Sequence, residues 1–147
     1  MIPRRNSGLI VATSGCFDIL HPGHIRLFEH MRELAGPYGS VVVFLNTDTY
    51  IRNKKGYEPR MNYLERKEML KALKWIDLVL PLRQPTPERV IEIMQPDIWV
   101  KGCDYGKENA PEALTVESYG GKVHFVNVGY DRHSSDIVGV RKNESGR

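Results

Sequence analysis

Short apolar runs alternate with helical patterns along almost the whole chain, and this alternation is the feature that most constrains its fold. The clearest run is 40–45, Ser-Val-Val-Val-Phe-Leu, and an earlier one covers Leu9–Thr13. Short runs rich in β-branched residues are typical of strands that are buried on both faces. By the same criterion we expect three further strands, at 76–80, 97–100 and 122–126.

Helical patterns occupy most of the intervals between these runs. The first begins at Pro22, because the N–H that proline lacks would be unsatisfied in a first turn, and Gly36-Pro37 ends it. The interval 46–62 is polar, contains Gly56 and Pro59, and is interpreted mostly as a loop. Further helices are predicted at 63–74, with Leu64, Met69, Leu70 and Leu73 as packing residues, at 86–94, with Thr86 as the N-cap, at 110–119 and at 134–141.

Alternating strands and helices with short connections predict a Rossmann-like, doubly wound α/β fold. We expect a five-stranded, mainly parallel sheet with helices on both of its faces. A chain of 147 residues is long enough to bury a core, and it shows no repeat or linker that would divide it. The prediction is therefore a single domain over 1–147, with flexible ends at 1–7 and 143–147.

Composition and charge exclude several classes of function. The chain has 21 Lys and Arg residues against 18 Asp and Glu, a net charge of +3 that is too small and too scattered for a nucleic-acid partner. No run approaches a transmembrane length, and the N-terminus lacks the apolar core of a signal peptide. Cys16 and Cys103 fit neither a disulfide framework nor a zinc-binding spacing. We expect a cytoplasmic protein that has no membrane partner and binds a small anion.

The segment 15–24, Gly-Cys-Phe-Asp-Ile-Leu-His-Pro-Gly-His, lies where the first strand turns into the first helix. His21 and His24 are three residues apart and therefore converge on one face of the first helical turn. Backbone N–H groups and the positive end of the helix dipole point the same way. Gly23 keeps the helix start open to a ligand. These features predict a phosphate-binding site.

Polar segments follow other strands as well, and parallel strands of a doubly wound sheet bind ligands beyond their carboxyl ends. Asn46-Thr47-Asp48 comes after the second strand, and 101–105, Lys-Gly-Cys-Asp-Tyr, comes after the fourth. The segment 132–135, Arg-His-Ser-Ser, follows the fifth strand and its loop. Stability alone does not explain so many polar segments at one edge, so we expect them to share a ligand site with the histidines.

The segment 15–24 resembles the signature of the cytidylyltransferase-like nucleotidyltransferases, the group that carries an H-x-G-H motif. Later segments occur in the order of the branch that adenylylates heptose 1-phosphate for lipopolysaccharide-type glycans, and the similarity covers about residues 8–140. Those segments are Asn46-Thr47-Asp48, Lys55-Gly56, Arg66, Thr86-Pro87, Pro96-Asp97, Val100–Tyr105 and Gly120-Gly121-Lys122-Val123. The chain departs from the usual pattern at Cys103, where glycine is common, and at Asp136, beside the segment usually rich in Ser and Thr.

The resemblance implies that ATP or CTP donates a nucleotidyl group to a sugar or polyol phosphate, with release of pyrophosphate, to make a precursor for surface glycans. It implies catalytic roles for His21, His24 and Lys55 at the phosphates, Mg²⁺ bridged through the nucleotide phosphates, and a homodimer. The nucleotide-binding residues that it implies are Gly15, Cys16, Phe17, Asp18, Gly23, Lys101, Gly102, Arg132, Ser134 and Ser135. The acceptor-binding residues that it implies are Asn46, Asp48, Asp104 and Tyr105.

Alternatives stay open for these assignments. The histidine pair could bind a metal ion or be a surface feature, and Lys55 could belong with Lys54 to a solvated charged run. Lys101 could be a structural cap, and Asp18 could orient a histidine or a ribose, or only shape a turn. The function could instead be that of a glycerol-3-phosphate cytidylyltransferase, of another small-metabolite adenylyltransferase, or of a nucleotide-binding module without catalysis.

Overall fold

Five parallel strands form one sheet in the computed structural model, which describes residues 8–103 and 110–129. In chain order the strands are β1 (Ile10–Gly15), β2 (Ser40–Asn46), β3 (Leu78–Leu82), β4 (Ile98–Cys103) and β5 (Lys122–Asn127). Their order across the sheet is β3-β2-β1-β4-β5. The strands β2 and β3 therefore lie on one side of β1, and β4 and β5 lie on the other side. The predicted doubly wound α/β fold is confirmed.

Helices cover both faces of this sheet. They are α1 (Pro22–Ala35), α2 (Asp48–Lys55), α3 (Tyr63–Lys71), α4 (Glu88–Met94) and α5 (Ala113–Ser118). Successive side chains of β2 point to opposite faces, as in any strand. Val41, Val43 and Leu45 pack in a buried cluster with residues of α1 and α3, whereas Val42 and Phe44 pack in a second cluster with residues of α4 and α5.

The strands β1 and β4 diverge toward their carboxyl ends. Six residue pairs join β1 to β2, up to Gly15 and Leu45. The ladder between β1 and β4 consists of Val11–Ile98 and Ala12–Trp99. One residue further on, the buried Thr13 hydroxyl donates a hydrogen bond to the Val100 carbonyl at 2.7 Å. This is the position where the strand order reverses, and crevices at such positions bind ligands in doubly wound folds.

Several local predictions are wrong. The interval 46–62 contains the helix α2 rather than only a loop. Leu64 and Met69 point to solvent instead of packing, while Leu70 is buried. The N-cap of α4 is Pro87 and makes no side-chain hydrogen bond, so Thr86 does not cap that helix.

The residues Asp104, Tyr105, Arg132, Ser134 and Ser135 lie outside the part of the chain that the structure describes, together with the predicted last helix and both ends. Within the described part, no helix has both the length and the apolar character needed to cross a bilayer.

Candidate active site

A cavity of about 830 Å³ opens at the carboxyl ends of the strands, where β1 and β4 diverge. One side of its wall comes from α2 and the segments after β2 and β3, and the other side comes from β4 and the start of α5. The sequence-predicted residues in the wall are Gly15, Cys16, Phe17, Asp18, His21, His24, Asn46, Lys55, Lys101 and Gly102.

The two histidines cap α1 with their own rings. His21 is the N-cap, and its Nδ1 accepts a hydrogen bond from the buried Gly23 N–H at 3.1 Å. The Nδ1 of His24 accepts from the His21 N–H at 3.3 Å, which completes a capping box. Capping boxes usually use hydroxyl and carboxylate side chains, but here imidazole nitrogens accept the two backbone hydrogen bonds. Since each Nδ1 is an acceptor, each neutral ring carries its proton on Nε2.

The rings of His21 and His24 stack with their centroids 3.7 Å apart and their planes 19° apart. Stacking holds both rings in nearly the same orientation, and both line the cavity. Two imidazole rings therefore lie side by side in the wall. This geometry suits an anion with more than one oxygen, such as a phosphate group.

Burial, and to a smaller extent the neighbouring His21, lower the pKa of His24 to about 3. The ring of His24 is therefore neutral at physiological pH, and its remaining N–H can donate to a ligand without carrying charge. The ring of Phe17 meets it edge-on, with centroids 5.0 Å apart, and itself packs on Phe28. Phe17 thus supports the ring of His24 by packing against it.

Local backbone geometry fixes the position of Phe17. Its φ of 45° lies in the left-handed region, which is uncommon for a residue with a side chain. A Cβ on Gly15 would lie 2.8 Å from the Phe17 ring, so any larger residue at this position would displace the ring. The glycine of the motif therefore leaves room for the Phe17 ring that packs against His24.

Arg66 is the main structural residue of the site that the sequence analysis left without a role. Its guanidinium is fully buried and donates to the carbonyls of Cys16 at 2.9 Å, Asn46 at 2.8 Å and Met61 at 2.9 Å. It also forms an ion pair with the carboxylate of Asp48 at 2.6 Å. A single side chain therefore joins the ends of β1 and β2 to the start of α2 and to the segment before α3.

Two of the sequence-predicted carboxylates serve this framework. Asp18 accepts hydrogen bonds from the backbone N–H groups of Arg60 and Met61, at 2.7 and 3.0 Å, which supports the alternative that it shapes a turn. Asp48 pairs with Arg66 and is not part of the cavity wall. Asn46 does line the cavity, and its side-chain oxygen lies 3.6 Å from the Cys16 sulfur.

The cationic side chains of the wall come from opposite sides of β1. Lys55 is the last residue of α2 and lines the cavity, whereas Lys54 does not. Cys16 also lines the cavity, and burial raises the pKa of its thiol. Lys101 lies on β4, and its ammonium is 3.3 Å from both carboxylate oxygens of Glu112, a residue that the sequence analysis did not single out.

Metal binding by protein side chains alone finds no support in the described residues. No three His, Cys, Asp or Glu side chains of residues 8–103 and 110–129 gather where they could share a metal ion. The imidazole and ammonium groups in the cavity wall, from His21, His24, Lys55 and Lys101, suit phosphate oxygens.

Comparisons with known proteins show which proteins this chain is similar to. A sequence profile of the cytidylyltransferase-like family matches residues 12–140. "Bifunctional protein HldE" of Syntrophotalea carbinolica is 38% identical over 138 residues, 93% of this chain and 28% of that protein. The protein of the same name from Streptomyces coelicolor is 38% identical over 145 residues, 98% of this chain and 30% of that protein. This chain therefore spans less than a third of the length of these two relatives.

The fold has close counterparts among solved structures. The crystal structure described as a lipopolysaccharide core biosynthesis protein from Thermoplasma volcanium superimposes with a TM-score of 0.66 and 26% identity. The match covers 81% of this chain and 94% of that protein.

Proposed function

Because the chain belongs to the cytidylyltransferase-like family, we propose that it is a nucleotidyltransferase that joins a nucleoside monophosphate from ATP or CTP to a sugar or polyol phosphate. The observation that carries the proposal is the stacked pair of His21 and His24. Each ring accepts a backbone N–H at Nδ1, which fixes its orientation, and both residues line the cavity.

The reaction needs no covalent enzyme intermediate. An oxygen of the acceptor phosphate attacks the α-phosphorus of the triphosphate, a new P–O bond forms, and the bond to the β-phosphate oxygen breaks. Pyrophosphate takes the electron pair of that bond. Negative charge on the phosphate oxygens is then stabilised by donors that are already in place, and such preorganised stabilisation is a large part of catalysis in sites of this kind.

The residues of the cavity divide this task. His21 and His24 donate hydrogen bonds to phosphate oxygens. Lys55 supplies positive charge from one side of β1, and Lys101 supplies ammonium N–H donors from the other side. Arg66 keeps the ends of β1 and β2 in register with α2, and so holds Lys55 near the histidines.

Magnesium fits this site as a companion of the triphosphate. The Asp18 carboxylate accepts from backbone N–H groups, and the Glu112 carboxylate is paired with the Lys101 ammonium. The oxygens of the nucleotide would therefore be its main ligands, with no cluster of described side chains to hold it. When bound, the ion would neutralise charge on the phosphates.

The resemblance to the heptose-1-phosphate branch favours ATP as the donor and a sugar 1-phosphate as the acceptor. The relatives named HldE, and the solved structure described as a lipopolysaccharide core biosynthesis protein, support a role in precursors of surface glycans. Such metabolites are made in the cytoplasm, where we expect the protein to act. A homodimer is also part of the proposal.

A matrix of four nucleoside triphosphates against several acceptors, with pyrophosphate release as the readout, tests this function. The acceptors include heptose 1-phosphate, other sugar phosphates and glycerol 3-phosphate. We expect the highest rate with ATP and a sugar 1-phosphate. Highest activity with CTP and glycerol 3-phosphate would favour the glycerol-phosphate enzyme. Nucleotide binding without pyrophosphate release from any acceptor would contradict an enzymatic role.

A further inference from the structure

A buried acid stands in the cavity wall next to β4. Glu112 is 4% exposed, and its two carboxylate oxygens each lie 3.3 Å from the Lys101 ammonium. One of these oxygens also accepts a hydrogen bond from the indole N–H of Trp99 at 2.8 Å. All three side chains line the cavity.

The three groups form a chain in which each fixes the next. Trp99 is 1% exposed and packs beside Phe44 in the core on one face of the sheet, so its indole N–H has a fixed position. That N–H holds the carboxylate of Glu112. The carboxylate in turn holds an ammonium on a flexible four-carbon side chain, which would otherwise sample many rotamers.

We propose that Glu112 is a positioning residue, which aims the Lys101 ammonium at a phosphate group of the ligand in the cavity. An ammonium has three N–H donors, and an interaction with one carboxylate leaves donors for a second anion. The Lys101 side chain is one-third exposed, on the cavity side of a carboxylate that is almost fully buried. The inference deepens the proposed function and rests on it.

Charge alone would place no carboxylate here. The proposed ligands are polyanions, and a negative group in the wall repels them. The Lys101–Glu112 pair has no net charge, so the acid cancels the attraction that the lysine would offer. This arrangement is expected if the position of the Lys101 ammonium matters more for binding than the net charge of the wall. The two possibilities predict opposite changes in affinity when the acid is removed. Removal of the acid would tighten binding if only charge mattered, but will weaken it if Glu112 positions Lys101.

The experiment measures the affinity for ATP, CTP and inorganic pyrophosphate by calorimetry in Glu112→Gln, Lys101→Met and the double variant. Glutamine is nearly isosteric and still accepts from Trp99 but loses the charge. We expect Lys101→Met and Glu112→Gln each to weaken binding of the triphosphate by about tenfold, the equivalent of one charge-assisted hydrogen bond. The double variant should be no weaker than Lys101→Met, because both changes remove the same contact.

Glu117→Gln is the matched control, since it removes the same charge from an exposed position of α5. It should bind like the wild type. Trp99→Phe retains an aromatic ring in the core but removes the indole N–H, and we expect a smaller loss of affinity in the same direction. It also keeps the inference testable if Glu112→Gln does not fold, which urea denaturation will show.

Affinity of Glu112→Gln equal to or higher than that of the wild type would overturn the inference, and so would losses that multiply in the double variant. Because binding is measured without turnover, this outcome is separate from that of the proposed function. A wild type that binds triphosphate but releases no pyrophosphate contradicts the reaction alone. A Glu112→Gln variant with unchanged affinity and kcat contradicts the positioning role alone.

Discussion

His24 shows how much a single residue can be predicted from its sequence context. Its spacing from His21 predicts that the two rings converge, and the rings do stack in the cavity wall. The protonation of the ring is a different matter. It depends on burial against Phe17 and on the backbone donor at Nδ1, neither of which a motif specifies. The sequence therefore identifies the donor but not its charge or its tautomer.

Loss of this donor should affect turnover more than folding. We expect His24→Ala to lower kcat by about 10²- to 10³-fold, the usual cost of removing one preorganised donor to a developing negative charge. Pyrophosphate release under saturating substrates measures kcat, and circular dichroism checks the fold. His30→Ala is the control, because His30 lies on the same helix but contacts His124 rather than the cavity. Near-normal turnover in His24→Ala would contradict the role of the pair.

The lowered pKa of His24 also makes stability depend on pH. The folded protein holds the pKa near 3, well below the ordinary value of 6.5, so the unfolded chain binds a proton more readily. This contribution to stability is complete above the ordinary value and is lost as the pH falls toward 3. The limiting slope for one group is about 1.4 kcal/mol per pH unit.

Urea denaturation at about pH 7 and about pH 5 tests this linkage. The free energy of unfolding of the wild type should fall more between the two conditions than that of His24→Gln, which has no titrating group at this position. Equal losses in the two proteins would show that His24 does not titrate differently in the folded state.

At the scale of elements, α2 is the clearest failure of the sequence analysis. Its residues are polar and only Ile51 is buried, so the helix has almost no apolar periodicity. The signals that could have revealed it lie at its ends. Thr47 accepts a hydrogen bond from the Tyr50 N–H as the N-cap, and Gly56 ends the helix in a left-handed conformation. The helix matters because it brings Lys55 to the cavity.

The buried guanidinium of Arg66 is what should hold these elements together. Arg66→Lys keeps the charge but cannot donate to Cys16, Asn46 and Met61 together. We expect the free energy of unfolding to fall by about 2–4 kcal/mol, because buried carbonyls lose their donors. Urea denaturation measures this loss, and kcat/KM should fall with it as α2 moves. Arg52→Lys, at an exposed ion pair with Glu58, is the control and should change little.

At the scale of the whole molecule, alternation of strands and helices predicts the fold class but not the sheet order. A helix between successive strands carries the chain back to the starting edge and so makes the strands parallel, whereas the side on which each new strand joins depends on packing across the entire sheet. Glu112 escaped the sequence analysis for the same reason. Nothing local distinguishes it from other acids, and it becomes special only because the fold places it against Trp99 and Lys101.

The divergence of β1 and β4 creates the cavity, and Thr13 holds the two strands together at the point where they begin to part. Its hydroxyl bonds to the Val100 carbonyl one residue beyond the Ala12–Trp99 pair. Thr13→Val keeps the shape but removes that donor, and should lower the free energy of unfolding by about 1–2 kcal/mol. Because Lys101 directly follows Val100, affinity for the triphosphate should fall as well.

Thr49→Val makes the same chemical change at an exposed position of α2, where we expect the free energy of unfolding to change by less than about 0.5 kcal/mol. Urea denaturation and calorimetry with ATP compare the two variants with the wild type. If Thr13→Val matches Thr49→Val in both measurements, the hydroxyl does not set the spacing of the strands. The width of the cavity would then be set by the backbone of β1 and β4 alone.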